Sequence, residues 1–351
     1  MSRDIWLIDT TLRDGEQAPG VAFLAEDKVK LVHRLDDVGI DEIEAGTPAM
    51  GADEQSVIRR IVKEKLNARI SVWCRALKTD LEAAAATGAE AVHIAFPVSE
   101  IQLKAFNKPR QWLYETLPSI VQQAKYHFKH VSVGAQDAGR ASQQHLNEFI
   151  NLANRNDVER IRIADTVGIL TPLQTASLIR KIKHIQIDFH AHNDFGMATA
   201  NAITAWQSGA KALSVTVNGL GERAGNAALE EVIMAVYQQD NNITKYQTAK
   251  LYDLCRYVAD ISGRPVPEMK PVIGQWVCSH ESGIHVRGTI ENMLSFQPFD
   301  GTLAGRAESV DIQYGKHSGK ASVVNLIQKN GGEPTDENVK YLLNNIKKKS
   351  M

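Results

Sequence analysis

The sequence predicts a (β/α)₈ barrel followed by a C-terminal helical accessory region, and three observations carry that prediction. Eight short apolar runs alternate with stretches of helical spacing over about 240 residues. Polar clusters rich in His, Asp and Arg directly follow the first and seventh runs. A closed ring of parallel strands brings all strand ends to one rim, whereas an open sheet sets strands one and seven far apart. No glycine-rich phosphate turn follows the first run, as a doubly wound nucleotide fold would carry.

The predicted strands are 5–9, 42–46, 69–74, 91–96, 130–135, 160–164, 185–190 and 212–217. Most read as continuous apolar and β-branched runs, the pattern of parallel strands covered on both faces. The sixth, Arg160-Ile161-Arg162-Ile163-Ala164, alternates instead. One of its faces must therefore offer the arginines partners or water. Apolar spacing of three and four predicts helices over Asp27–Val38, Ala52–Leu66, Asp80–Thr87, Gln143–Asn154, Pro172–Lys183 and Ala198–Ser208. A last helix over Asn226–Gln239 closes the barrel. The pattern changes near residue 245, where a helix over Thr248–Ser262 leads into a Gly- and His-containing tail. The expected organisation is a catalytic barrel at 1–243 and an accessory subdomain at 244–351.

Composition excludes several classes. Of 351 residues, 43% are apolar and 23% charged, enough for a large core. A formal net charge of −1 gives no footprint for nucleic acid or an anionic membrane. Cys74, Cys255 and Cys278 are too few and too scattered for a disulfide framework or thiolate metal site, which fits a reducing cytoplasm. No run approaches the ~20 apolar residues of a membrane span. The start of the chain has no signal-peptide pattern.

The chemistry gathers in three clusters. In His190-Ala191-His192-Asn193-Asp194, the two histidines stand at i and i+2 on a strand end. Their side chains share one side, with Cα atoms roughly 6.6 Å apart, a good half of a divalent-metal site. The carboxylate to complete it is Asp14, in Asp9-Thr10-Thr11-Leu12-Arg13-Asp14-Gly15-Glu16-Gln17 after strand one. Arg13 beside it suits developing negative charge. In Gly219-Leu220-Gly221-Glu222-Arg223-Ala224-Gly225-Asn226, glycines allow close backbone approach, and Asn226 is either an oxygen ligand or a helix cap. Arg75, at the end of strand three, suits bidentate anion binding or a surface ion pair. Thr166, after strand six, either binds a substrate carboxylate or caps a helix. His285 is the tail's candidate acid or base.

These motifs, in this order, resemble the α-isopropylmalate synthase and homocitrate synthase family of metal-dependent barrel enzymes over roughly residues 4–320. Ser282-Gly283-Ile284-His285 and Gly315-Lys316-His317-Ser318-Gly319 add to the match. Trp73-Cys74-Arg75 and Phe96-Pro97-Val98-Ser99 look most like the nitrogenase-associated bacterial homocitrate synthases. The resemblance implies metal ligands Asp14, His190, His192 and Asn226, with Asp188 beside the metal. It implies that Arg13 and Thr166 hold a 2-oxo acid while Gln17, Glu44 and Arg75 line the pocket. It also implies that His285 is lent by the neighbouring subunit, hence a homodimer. Two positions depart from the family: Gln136 stands where Glu is usual, and Phe296 where Tyr is usual. Both remove polar groups and point to a different 2-oxo acid or to reduced activity. The long regulatory domain of leucine-pathway synthases is not present in this sequence.

The activity the resemblance implies is condensation of acetyl-CoA with a 2-oxo acid, assisted by Mg²⁺, Mn²⁺ or Zn²⁺ and releasing CoA. Arg75 favours a second anionic group on the acid, so the expected substrate is 2-oxoglutarate, giving homocitrate. The alternatives within this chemistry are 3-phosphonopyruvate, oxaloacetate, 2-oxoisovalerate and pyruvate. Outside it stand a hydroxymethylglutaryl-type lyase and an inactive paralogue that keeps the barrel as a binding module.

Overall fold

The computed structural model describes residues 5–239 and 245–349. Eight parallel strands close into a barrel in sequence order, β1 (Trp6–Asp9) pairing with both β2 (Glu42–Glu44) and β8 (Ala212–Val215). Between them run β3 (Arg69–Arg75), β4 (Ala91–Pro97), β5 (His130–Gln136), β6 (Arg160–Asp165) and β7 (Gln186–Ala191). The helices α1 (Ala25–Val38), α2 (Ala52–Lys63) and α3 (Lys78–Ala85) follow the first three strands. Two more, α4 (Glu100–Ala105) and α5 (Gln111–His127), fill the interval after β4. Pro118 inside α5 masks its helical spacing in the sequence. Then come α6 (Gln143–Arg155), α7 (Pro172–Lys181), α8 (Ala198–Ser208) and α9 (Leu229–Gln239). Leu7, Ile43, Val72, Ile94, Val133, Ile163, Phe189 and Leu213 are all fully or almost fully buried. Each contributes about 1.5–3 kcal/mol by leaving water.

The interior is not wholly apolar, and this answers the question raised by the alternating sixth strand. β2 and β6 stand opposite each other in an eight-membered ring, so a contact between them must cross the lumen. Two do. Arg160 Nη2 donates to Glu42 Oε1 at 2.6 Å, and Arg162 Nη1 donates to Glu44 Oε2 at 2.9 Å. The spacing of two on both strands makes these successive rungs, the second nearer the C-terminal rim. Arg162 Nε also donates to Asp188 on β7. Burial favours neutral arginine, but Glu44 and Asp188 outweigh it and hold the Arg162 guanidinium firmly charged.

Buried charges of this kind are held only as pairs. Arg160→Met leaves the Glu42 carboxylate with Trp6 Nε1 at 3.2 Å and Arg69 Nη1 at 3.6 Å. We expect it to lose about 3 kcal/mol in chemical denaturation, the low end for breaking a buried pair. Adding Glu42→Gln should recover part of the loss. A single variant as stable as wild type would show that the rung does not stabilise the barrel.

The chain divides into two compact units. One comprises the residues up to Gln247 together with Leu254–Pro265, the other Thr248–Asp253 and the residues from Val266 onward. The expected boundary at 243/244 lies outside the described residues. The helix α10 (Leu251–Ser262) follows a short 3₁₀ turn at Thr248–Lys250. The second unit holds α11 (Gly283–Glu291), α12 (Lys320–Lys329) and α13 (Asp336–Lys349), with a parallel bridge between Ser279–His280 and Asp311–Ile312. No helix among the described residues is long and apolar enough to cross a membrane.

Candidate active site

At the C-terminal rim of the barrel, the loop after β1 and the end of β7 meet. The loop is built locally: Thr11 donates from both its backbone N–H and its hydroxyl to the buried Asp9 carboxylate. Its hydroxyl then accepts from Val217 N, which ties the loop to the end of β8. This fixes Asp14, whose Oδ2 lies 3.0 Å from His190 Nε2 and 3.7 Å from His192 Nε2. The two Nε2 atoms are 3.2 Å apart. Asp14, His190 and His192 form a buried three-donor cluster of the size that holds one cation.

The residues fit a divalent metal. Asp14 Oδ2, on which the two Nε2 atoms converge, is buried and makes no well-formed hydrogen bond, and so is Asn226 Oδ1. Burial opposes charge on Asp14, but the Arg13 guanidinium and the two imidazoles hold its carboxyl well below the usual carboxylate range. Burial, helped by neighbouring His190, pushes His192 down to about 4. Ionised carboxylate and neutral imidazole are the forms that ligate metal. The oxygen and nitrogen donor set suits Mg²⁺, Mn²⁺ or Zn²⁺.

Asn226 is not a helix cap. Residues 226–228 are extended, with a bridge from His192 to Asn226 and another from Thr216 to Ala228, so α9 starts at Leu229 rather than at 226. The Asn226 amide donates to Leu220 O at 3.1 Å. Its room comes from the glycine motif. A Cβ on Gly221 would lie 2.1 Å from Asn226 Nδ2, and Gly225, at φ +86°, passes against the Gly219 carbonyl. Gly221→Ala should therefore displace Asn226. We expect cation affinity, read by equilibrium dialysis, to fall about 10- to 100-fold, the effect of disturbing a ligand's surroundings. Unchanged affinity would remove Asn226 from the ligand set.

The cluster opens on a chamber of about 470 Å³. Arg13, Gln17, Gln136 and Thr166 all line it, as do Trp73, His93, Arg162 and Arg223. Thr166 is not a cap either: Thr171 caps α7 through a capping box with Gln174, while Thr166 Oγ1 accepts from Asp137 N at 2.8 Å. Arg223 closes one side of the mouth, donating to Asp194 and to the Thr166 carbonyl.

Two expected site residues stand apart from this chamber. Glu44 is fully buried beneath it, its two oxygens taken by Arg13 Nε and Arg162 Nη1, so it orients arginines and does not line the pocket. Arg75 is 61% exposed and makes a two-pronged pair with Asp80, at 2.7 and 2.9 Å. It borders a neighbouring cleft with Met50 and Thr47, because β3 ends by turning its last side chain outward toward α3. His285 is exposed on α11 of the second unit, stacked on Phe296 at 4.3 Å.

Among the lining residues that sequence reasoning does not nominate are two ionisable strand residues, His93 and Arg162. His93 sits in an otherwise apolar β4, with Nδ1 2.9 Å from Ser132 Oγ. Burial and the nearby Arg162 and Arg13 hold it neutral, well below its usual range. Arg162 carries a signal in the alternation of its strand, but alternation alone does not say which arginine reaches a cavity.

Known proteins match over nearly the whole chain. Residues 4–258 match the HMGL-like family model, and residues 272–351 match the homocitrate synthase post-HMGL domain-like model. A 2-isopropylmalate synthase of Caldanaerobacter subterraneus is 42% identical, covering 99% of this chain and 91% of that protein. A homocitrate synthase of Frankia alni is 42% identical, covering 92% and 93%. An HMG-CoA lyase structure from Brucella melitensis shares the fold, with a TM-score of 0.66 at 21% identity over 74% of this chain and 99% of that one.

Proposed function

The chain belongs to the HMGL-like family, with a homocitrate synthase post-HMGL domain-like tail, and from that premise we propose that it condenses acetyl-CoA with a 2-oxo dicarboxylic acid. It is an acyltransferase that turns the acyl group into an alkyl group on transfer, and the finer assignment is 2-oxoglutarate giving homocitrate. The observation that carries this reading is the Asp14–His190–His192 cluster opening on a chamber with two buried guanidiniums, Arg13 and Arg162.

Asp14, His190, His192 and Asn226 would hold a divalent cation, which supplies Lewis-acid polarisation of a keto oxygen. The chain's own groups do the rest. Arg13 is locked by Glu44 and lies 3.3 Å from Asp14, so it stands ready without reorganisation to stabilise negative charge growing on that oxygen. Thr166 and Gln136 line the same wall and can donate to the acid's first carboxylate. A base takes one methyl proton from acetyl-CoA, and the resulting carbanion forms the carbon–carbon bond at the keto carbon. The former keto oxygen gains a proton. Water then cleaves the thioester, leaving a carboxylate and the free CoA thiol. His285 is the proposed acid or base, supplied by the second subunit of a homodimer. Gln17, at the chamber's exposed edge, is proposed to orient the thioester end.

Gln136 favours one second reading. Where a Glu is usual, a neutral amide in the chamber wall repels a doubly charged phosphonate less, so 3-phosphonopyruvate is the competing acid. Free-thiol release from acetyl-CoA with a panel of 2-oxo acids tests all of this. We expect 2-oxoglutarate to be fastest. Fastest release with pyruvate or 2-oxoisovalerate would overturn the dicarboxylic assignment. No release with any acid, together with cleavage of a hydroxymethylglutaryl thioester, would make the protein a lyase.

A further inference from the structure

The chamber has a floor, and one charged donor on that floor is unspent. Arg162 is 3% exposed, and its Nε and Nη1 are committed to Asp188 and Glu44. Its Nη2 is buried with no hydrogen-bond partner, while the residue lines the same chamber as Asp14, His190 and His192. A buried N–H of a guanidinium left unpaired is costly, and its natural complement is an oxyanion. The neighbours leave the approach open. Ala164, on the same strand, and Gly134 and Ala95, on β5 and β4, are small, and a Cβ on Gly134 would already press against His93 Nε2 at 2.6 Å.

We propose that Arg162, from the sixth strand, is the residue that reads the distal carboxylate of the 2-oxo acid. Arg75 does not compete for this role, since it is exposed, paired with Asp80 and outside the lining of the chamber. The charge balance agrees. Asp14, Glu44 and Asp188 carry one more charge than Arg13 and Arg162, the guanidiniums they pair with, so this set is net negative until a divalent cation is held. It then becomes net positive and accepts a dianion. The two committed bonds hold Arg162 rigid, and a preset donor discriminates without losing freedom on binding. The inference rests on the condensation reading for where the acid's other end lies, and selects dicarboxylic acids within it.

The test compares 2-oxoglutarate with 2-oxobutyrate, which lacks the distal charge, in wild type and in Arg162→Lys. Lysine keeps a cation for Glu44 and Asp188 but loses the third edge of the fork. The ratio of kcat/KM for the two acids should fall about 10- to 150-fold, the value of one charge-assisted hydrogen bond. A purely structural role would weaken both acids alike, and an unchanged ratio would overturn the proposal. So would a ratio that moves with Arg75→Ala and not with Arg162→Lys. If Arg162→Lys does not fold, calorimetry on the wild-type protein with Mg²⁺ decides. The 5-amide of 2-oxoglutarate should bind weaker than 2-oxoglutarate by a similar factor, and equal binding would overturn the proposal. Binding that discriminates without any thiol release would retain the anion reader and remove the condensation reading instead.

Discussion

His192→Ala abolishes turnover while leaving the barrel folded: this is the result expected if Asp14, His190 and His192 hold the cation. The imidazole lies at the rim, one residue beyond the end of β7, and its ring packs edge-on against His190. Losing it should therefore cost the core little. The chemistry is affected far more. Disturbing only the surroundings of a metal ligand costs about 10- to 100-fold, so deleting the ligand should cost at least the upper end of that range. Bound metal per chain, read by atomic emission, should fall in parallel, and the melting temperature of the metal-free protein should barely move. Wild-type turnover by this variant in chelator-treated buffer would refute the metal centre. A large drop in melting temperature of the metal-free protein would instead make His192 a structural residue.

The same site shows why some of it is legible in the sequence and some is not. Asp14, His190 and His192 are readable because strand ends and the period of two dictate where their side chains go. Closure of the ring then brings strands one and seven to one rim. The fold is readable for a related reason: buried parallel strands are apolar throughout and stand out from amphipathic helices. The helix α5 escapes because Pro118 breaks the expected pattern. Asn226 and Thr166 each had two local meanings, and only long-range pairing separates them: the bridge to His192 for one, the capping box at Thr171 for the other. Arg75 misleads because an arginine at a strand end in the right neighbourhood looks like an anion reader. What weighs against that reading is Asp80, five residues on, which pairs with the guanidinium through Nε and Nη2. The charge rungs explain Arg160-Ile161-Arg162 fully only when β2 is known to lie across the lumen.

Mixing two inactive chains should restore activity. His285→Ala removes the proposed acid or base, expected to cost about 10²- to 10⁴-fold. Arg13→Ala removes a buried cation beside Asp14, at about 10²- to 10³-fold by analogy with losing a donor to a developing oxyanion. If each active site takes its barrel residues from one subunit and His285 from the other, a dimer of one chain of each kind carries one site with both lesions and one with neither. Random exchange of equal amounts makes half the dimers mixed, so roughly a quarter of all sites become intact. Against two backgrounds this low, recovery to about a quarter of wild-type turnover is a large and unambiguous signal. Recovery should appear only on the time scale of subunit exchange, followed by energy transfer between labelled chains. Full exchange with no recovery would confine His285 to its own chain's site or to no site at all. The stacking of His285 on Phe296 adds a second readout. Phe296→Tyr restores the phenol usual in this family, and it should act on the same site as His285. In a mixture with Arg13→Ala it should therefore change the activity of mixed dimers when it sits on the chain that donates His285, and have no effect when it sits on the other.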